Sequence, residues 1–200
     1  MLRFVALALA ALFLARPALA APEINAPAPE FELVASDGKI HRLSDYRGRV
    51  VVLEWTNHLC PFVQKHYETG NMQKTQRHAE SLGAAWLTII SSAPGKQGHV
   101  SGEEADRLTK ERDAAPTAVL LDEEGIVGKL YGARTTPHMY VIDEKGILRY
   151  MGGIDDKPTT RHEDVNTAQN YVIAALDGWT TKKEVPVAAT PPYGCSIKYK

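Results

Sequence analysis

The two cysteines of this 200-residue chain, Cys60 and Cys195, are its main candidates for covalent chemistry. Cys60 follows an aliphatic run and a short polar turn, and Pro61 comes directly after it. Proline is favoured in the first turn of a helix, where its missing N–H would have no partner. Cys60 is therefore predicted to lie where unpaired N–H groups and a helix dipole favour the thiolate, the reactive form of cysteine. The alternative is an inert cysteine buried beneath the helix.

Cys195 lies near the end of a proline-containing tail. The segment from Gly178 to Cys195, extended at about 3.3 Å per residue, could reach any part of a domain whose radius of gyration is about 15 Å. On a mobile arm, Cys195 could act as a resolving thiol for Cys60. Two alternatives stay open: a structural disulfide that fixes the tail, or pairing with another molecule.

Two histidines stand close to these elements in the sequence. His58 precedes Cys60 by two residues, and His138 directly follows Pro137. A nearby imidazolium would lower the pKa of the thiol, so both are predicted to tune Cys60. One cysteine with two histidines could instead bind copper or zinc, although no second cysteine follows closely enough to form a familiar chelate. His66 is interpreted as a surface or supporting residue.

The elements that must position Cys60 alternate between strands and helices. Strands are predicted at residues 31–35, 39–42, 50–55, 84–91, 117–121, 138–143 and 147–151. Helices are predicted at residues 43–48, 61–82, 103–113, 124–132 and 166–176, with Gly70 expected to kink or divide the second and Ser101 to cap the third. This order predicts an α/β fold, in which a central mixed sheet carries helices on both faces and an N-terminal β-hairpin.

The first 20 residues have the pattern of a secretory signal peptide: a positive start, an apolar run and a small-residue cleavage site after Ala20. The apolar run is shorter than the ~20 residues that span a membrane. Residues 21–29 are predicted to be an extended lead-in, 30–179 the domain and 180–200 the tail. Removing the signal peptide changes the net charge from −1 to about −3. The sequence has no basic patch, so neither nucleic acid nor a membrane surface is an expected partner of the mature protein.

Four segments of the chain resemble the thioredoxin superfamily, and in particular its exported redoxin branch. That branch includes thioredoxin-like thiol-disulfide proteins and peroxiredoxins of the alkyl hydroperoxide reductase/thiol-specific antioxidant type. The segments are residues 31–55, the Cys60-Pro61 helix start, Thr136-Pro137 before HMYVID, and the hairpin DEKGILRY. The resemblance extends over residues 28–179 and implies a thioredoxin-like fold.

The resemblance also implies the shape of a substrate site. It implies a cis peptide bond between Thr136 and Pro137, which would present the backbone of Thr136 beside Cys60. An extended substrate chain could pair with that edge. Pro61, Thr136 and Pro137 are the predicted groove residues, together with Trp55, which is otherwise interpreted as a strand and core aromatic.

The chain departs from both branches of the family that it resembles. A thioredoxin-like oxidoreductase has a second cysteine where this chain has Val63. A peroxiredoxin has proline and threonine where this chain has Leu53 and Asn57, with Thr56 one residue out of register. It also carries an arginine where this chain has Pro137. The motif residues therefore follow neither branch completely.

The sequence predicts an exported thiol-disulfide oxidoreductase that uses no cofactor, with Cys60 as attacking thiolate and Cys195 as resolving thiol. Its expected partners are a protein or small-molecule thiol or disulfide and an external thiol reductant. Peroxiredoxin-type reduction of hydroperoxides is the first alternative. A copper- or zinc-binding module that uses Cys60, His58 and His138 is the second, and a non-catalytic scaffold is the third.

Overall fold

The computed structural model describes residues 22–181 and 187–200, so the predicted signal peptide lies outside the described residues. The strands of the described part are β1 Glu32–Ala35, β2 Ile40–Arg42, β3 Val51–Trp55, β4 Ala85–Ile90, β5 Ala118–Leu121, β6 Thr135–Thr136, β7 His138–Ile142, β8 Leu148–Gly152 and β9 Cys195–Ser196. The helices are α1 Pro61–Glu68, α2 Asn71–Ser81, α3 Gly102–Glu111, α4 Ile126–Leu130 and α5 Tyr171–Thr180, with short 3₁₀ helices at Leu43–Tyr46 and His162–Asn166. Within these ranges no helix is long and apolar enough to cross a membrane.

Seven of the strands form the central sheet, in the order β2-β1-β5-β4-β3-β7-β8. Neighbours among β5, β4 and β3 are parallel, and the other neighbours are antiparallel, which confirms the predicted mixed sheet. Every residue of β3 and β4 is buried, as expected of near-continuous aliphatic runs in a sheet that is covered on both faces. Strands β6 and β9 pair separately from this sheet.

The two faces of the central sheet carry separate hydrophobic clusters. Successive residues of a strand point to opposite faces. In β3, Leu53 and Trp55 belong to one cluster, whereas Val52 belongs to the other, together with Cys60 and Val63 of the α1 region. Residues of α2 and α5 complete that second cluster. Cys60 therefore lies between the sheet and its helical layer.

Two predictions about helices have different outcomes. Gly70, with a left-handed φ of 74°, separates α1 from α2, so the predicted division of residues 61–82 is confirmed. The last helix begins five residues later than predicted, at Tyr171. Its start is set by Asn170, whose Oδ1 accepts a hydrogen bond from the backbone N–H of Ile173 at 3.0 Å.

The tail is packed against the domain, so the expectation of a mobile arm does not hold for residues 187–200. Ala189 forms a parallel bridge with Met151 in β8. Farther along, β9 pairs with β6. Beyond β9, the Tyr199 hydroxyl donates a hydrogen bond to the carbonyl of Ala133 at 2.8 Å. The position of Cys195 is thus set by contacts on both sides of it.

Candidate active site

Cys60 is the N-cap residue of α1, as the Cys-Pro pair predicted. Its backbone is extended, and Pro61 occupies the first helical position. The Cys60 carbonyl accepts hydrogen bonds from the N–H groups of Val63 and Gln64, both at 2.9 Å, and so starts the helix. The side chain is fully buried, and its Sγ donates to the carbonyl oxygen of Thr136 at 3.1 Å. The thiol is therefore held against the β6 backbone.

Thr136 is the residue at which the two cysteines meet. Its peptide bond to Pro137 is cis, as the resemblance implied. Cys195 is its partner in the antiparallel pair of β6 and β9. Gly194 allows the close approach: its φ is +132°, and a Cβ there would lie 2.0 Å from the carbonyl oxygen of Thr136. The tail thus occupies the edge that was predicted for a substrate chain.

The two thiols differ in acidity because each affects the other. Burial raises the pKa of Cys60, but hydrogen bonding with Cys195, with Thr136 and with the backbone of Val63 outweighs it, so that pKa lies below its ordinary value. Burial, followed by the hydrogen bond and the charge of Cys60, raises the pKa of Cys195 to about 11. Cys60 is therefore the more acidic thiol of the pair and Cys195 the less acidic one.

Cys60 and the cis bond between Thr136 and Pro137 both lie within the part of the chain that matches a known family. Residues 24–151 match the AhpC/TSA family. Peroxiredoxin-1 of Gallus gallus is 32% identical over 161 residues, which are 70% of this chain and 74% of that protein.

The chain belongs to the AhpC/TSA family. Thiol-disulfide oxidoreductase ResA of Geobacillus thermodenitrificans (strain NG80-2) is 25% identical over 133 residues, 63% of this chain and 67% of that protein. The crystal structure of an uncharacterized conserved protein from Geobacillus kaustophilus is 27% identical and superposes with a TM-score of 0.74 over 89% of this chain and 93% of that one. The thioredoxin-like fold is thus confirmed, and at this coarse level the AhpC/TSA protein is an oxidoreductase of the redoxin type.

Trp55 does not line an open groove in this AhpC/TSA chain. It is fully buried, its ring packs against Tyr131 and Tyr140 with centroids 5.4 and 5.2 Å away, and its Nε1–H donates to Ser91 Oγ at 3.0 Å. Because residues alternate along β3, Trp55 points to the face opposite the helical layer that carries Cys60. Of the other predicted groove residues, Pro61 is exposed, whereas Thr136 is buried.

Burial lowers the pKa of both histidines that were predicted to tune the thiol. Burial lowers the pKa of His138 to about 3, and its Nδ1 accepts a hydrogen bond from the backbone N–H of Arg134 at 3.3 Å. Burial, followed by the charge of Arg112, also lowers the pKa of His58. A lowered pKa disfavours the imidazolium, which is the form that would stabilise a thiolate, and the tuning role of the two histidines stays a prediction.

The copper or zinc alternative finds no ligand set in the part of the chain that the structure describes. Within residues 22–181 and 187–200, no group of three or more His, Cys, Asp or Glu side chains is arranged to hold a metal ion. Cys60 instead bonds Thr136 and Cys195, and His138 bonds backbone and Tyr140.

Three residues that the sequence reasoning missed or misplaced lie beside the tail. Tyr193 was not considered, and its ring packs against Phe62 of α1 with centroids 5.9 Å apart. Asp155 follows β8 and accepts a hydrogen bond from the Tyr193 hydroxyl. His66 is fully buried, not a surface residue, and its Nε2 lies 3.2 Å from the Tyr193 oxygen. An aromatic residue next to Gly194-Cys195 was the available signal that the tail is anchored.

Glu54 is a second buried group that the sequence reasoning passed over. Its carboxylate accepts hydrogen bonds from the Tyr67 hydroxyl at 3.0 Å and from Trp86 Nε1 at 2.9 Å, beneath the helical layer. Burial raises the pKa of Glu54 above its ordinary value, although these hydrogen bonds partly oppose the shift. The strand that leads to Cys60 therefore carries a titratable group inside the core.

Proposed function

We propose that this AhpC/TSA protein is an exported thiol-disulfide oxidoreductase that cycles between a reduced Cys60/Cys195 pair and a disulfide between them. The observation that carries the proposal is the pairing of Cys195 with Thr136, directly beside the Cys60 thiol. The opposite pKa shifts of the two thiols support it. Relatedness to a thiol-disulfide oxidoreductase, ResA, agrees with the same chemistry.

The first step is attack by the Cys60 thiolate on one sulfur of a substrate disulfide. A bond forms between Cys60 Sγ and that sulfur, the substrate S–S bond breaks, and the other substrate sulfur leaves as a thiolate. Cys60 is suited to this step because its lowered pKa keeps more thiolate at neutral pH. Cys195, with its pKa of about 11, waits as the thiol.

The second step is attack by Cys195 on the Cys60 sulfur of the mixed disulfide. Once Cys60 is bonded to the substrate, its charge and its hydrogen bond no longer raise the pKa of Cys195, although burial still does. Cys195 gives its proton to the departing substrate thiolate and forms the Cys60–Cys195 bond. Two electrons have passed to the substrate, and an external thiol reductant returns the pair to its dithiol form.

A glutathione titration tests this cycle. The reduced protein is incubated with oxidised glutathione, acid-quenched and peptide-mapped. Wild type is expected to form the Cys60–Cys195 disulfide, whereas Cys195→Ser is expected to stop at a glutathione adduct on Cys60. Cys60→Ser should form little adduct, because Cys195 is mostly protonated. Absence of an intramolecular disulfide in wild type at every glutathione ratio would overturn the proposal.

Hydroperoxide reduction is a second candidate, favoured by the 32% identity to Peroxiredoxin-1 of Gallus gallus. The Cys60 thiolate would attack the O–O bond, give an alcohol and become a sulfenic acid; Cys195 would then form the disulfide with loss of water. The same experiment with hydrogen peroxide in place of oxidised glutathione distinguishes the peroxidase from the thiol-disulfide oxidoreductase. If hydrogen peroxide oxidises Cys60 faster than oxidised glutathione does, and a sulfenic acid can be trapped in Cys195→Ser, the peroxidase is favoured.

The proposed export of the protein rests on the signal-peptide pattern of residues 1–20. Cleavage after Ala20 predicts that the mature protein begins at Ala21. N-terminal sequencing of the protein from its source cells checks this, and an intact Met1 would contradict it.

A further inference from the structure

Tyr193 anchors the tail two residues before Cys195. Its hydroxyl donates a hydrogen bond to Asp155 Oδ1. Its ring packs against Phe62, with centroids 5.9 Å apart, and the Lys65 ammonium lies 5.5 Å from the Tyr193 ring centroid. Phe62 and Lys65 both belong to α1, the helix that Cys60 caps. The segment that carries Cys195 is therefore fastened to the helix that carries Cys60.

His66 completes the anchor and fixes the direction of its hydrogen bonds. Burial, followed by the charge of Lys65, lowers the pKa of His66 to about 3, so the imidazole is neutral. Its Nδ1 accepts from the Asn71 amide at 2.7 Å, which leaves the proton on Nε2. Nε2 lies 3.2 Å from the Tyr193 oxygen. The chain of donors thus runs from His66 through Tyr193 to Asp155.

One carboxylate oxygen of Asp155 is available for a further hydrogen bond. Its Oδ1 accepts from Tyr193 and from the backbone N–H of Lys157 at 2.9 Å, whereas its Oδ2 is buried without a hydrogen-bond partner. That Oδ2 lies 4.0 Å from His66 Nε2. If Tyr193 left, a small movement of the imidazole would let His66 donate directly to Asp155. The cluster therefore has a second arrangement in which its buried polar groups stay paired.

Access to the thiolate depends on whether the tail is docked. Cys60 is fully buried, and the Thr136 edge is already paired with Cys195. A substrate chain that needs this edge competes directly with β9. Reaction at Cys60 therefore requires displacement of the tail, and resolution by Cys195 requires its return.

We propose that Tyr193 is a positioning residue, a releasable lock that holds Cys195 beside Cys60 and, on leaving Asp155 and His66, opens the Thr136 edge to substrate. The proposal rests on the proposed thiol-disulfide function. Tyr193 touches neither substrate nor reacting sulfur. It acts by setting the fraction of time that Cys195 spends docked.

The test compares wild type with Tyr193→Phe in two measurements. The first is the equilibrium constant for the reaction of the dithiol with oxidised glutathione, which gives the Cys60–Cys195 disulfide and two reduced glutathiones. The second is the rate at which iodoacetamide alkylates Cys195 in the reduced protein. Loss of a hydrogen bond to a buried carboxylate predicts a ~10-fold smaller ratio of docked to undocked tail. The fall in the equilibrium constant, which follows the docked fraction, and the rise in the alkylation rate, which follows the undocked fraction, should therefore multiply to ~10-fold.

Two further variants separate the lock from a general loss of stability. Tyr46→Phe removes a hydroxyl that contacts His41 rather than Asp155 or His66, and it is expected to leave both measurements unchanged. Asp155→Asn keeps an acceptor oxygen but loses the charge, and it serves in place of Tyr193→Phe if that variant does not fold. Because both changes weaken the Tyr193–Asp155 hydrogen bond, the double variant should lose less than the sum of the two single changes.

The outcomes distinguish the two proposals. If wild type forms the disulfide and Tyr193→Phe has the same equilibrium constant and alkylation rate, the lock is wrong and the oxidoreductase proposal stands. If wild type forms no Cys60–Cys195 disulfide, the proposed function itself fails. Additive losses in the double variant would also overturn the lock.

Discussion

The two cysteines of this AhpC/TSA protein are held by two different kinds of structure. Cys60 ends the segment between a fully buried strand and the helix that begins at Pro61, so its position follows from its own sequence neighbours. Cys195 lies in a two-residue strand whose position is set by distant residues, including Asp155 on one side and Ala133 on the other. Cys60 is part of the buried core, whereas Cys195 is held against that core by contacts of the tail.

Under the proposed function, this difference explains how the chain would work without a second cysteine at position 63. A resolving thiol within the same helix turn would always lie beside Cys60. On the tail, Cys195 is held by the two-residue pairing of β9 with β6 and by the Tyr193 anchor, and release of that anchor, as proposed, would let it leave Cys60 and return. The tail therefore supplies both a partner for Cys60 and a cover for it.

Gly194→Ala should break the tail region while leaving the core region intact, and it has the largest expected effect. The added Cβ would lie 2.0 Å from the Thr136 carbonyl oxygen, on a backbone whose φ of +132° disfavours any side chain. Strain and overlap of this kind predict a loss on the order of 100-fold in the equilibrium constant for the Cys60–Cys195 disulfide. Glutathione titration measures it.

The control for this change is Gly38→Ala in the hairpin between β1 and β2. Gly38 also has a positive φ, +81°, but no atom lies within 4 Å of its Cβ position. It therefore carries the backbone strain without the overlap and away from the tail. Equal losses in the two variants would mean that Gly194 acts only through overall stability.

The contrast between the two regions also explains what the sequence could predict. The strands at 50–55 and 84–91 were placed correctly to within one residue at each end, because unbroken aliphatic runs are typical of strands buried on both faces. The start of α1 and the break at Gly70 follow from proline and glycine, whose backbone preferences are local. The region around Cys60 is thus largely encoded in adjacent residues.

Contacts between distant segments could not be predicted in the same way. The prolines of the tail suggested a mobile arm, yet its docking depends on Asp155 and Thr136, which lie far away in sequence. Trp55 was open between the core and the groove, because a strand run buried on both faces does not reveal which face a residue takes. Tertiary context decided both.

The acidity of the two thiols offers a second, smaller test of the comparison. In Cys195→Ala the pKa of Cys60 should rise, because burial remains and the hydrogen bond from the Cys195 thiol is lost. In Cys60→Ala the pKa of Cys195 should fall below about 11, because the hydrogen bond and charge of Cys60 are lost while burial remains. Alkylation rates measured against pH report both. No change in either variant would mean that the thiols do not interact.

Glu54→Gln should alter the core region and leave the tail alone, with the smallest effect on the site. Burial raises the pKa of Glu54 in the folded chain above its unfolded value. Between those two pKa values the folded state binds more protons than the unfolded state, so this carboxyl's contribution to stability is fully present below about pH 4.5 and falls as pH rises. Glu54→Gln removes that titration, so the stability of wild type relative to the variant should decline from pH 4 to pH 8.

Urea unfolding of both proteins across that range measures the decline, with Glu103→Gln on the exposed face of α3 as a control for the loss of one carboxyl. The Cys60–Cys195 equilibrium constant is expected to change less than about twofold, because Glu54 bonds Tyr67 and Trp86 rather than either cysteine or the tail. A large change in that constant would show that the strand beneath Cys60 and the tail above it are coupled. The regions that hold Cys60 and Cys195 would then have to be treated as one cooperative unit.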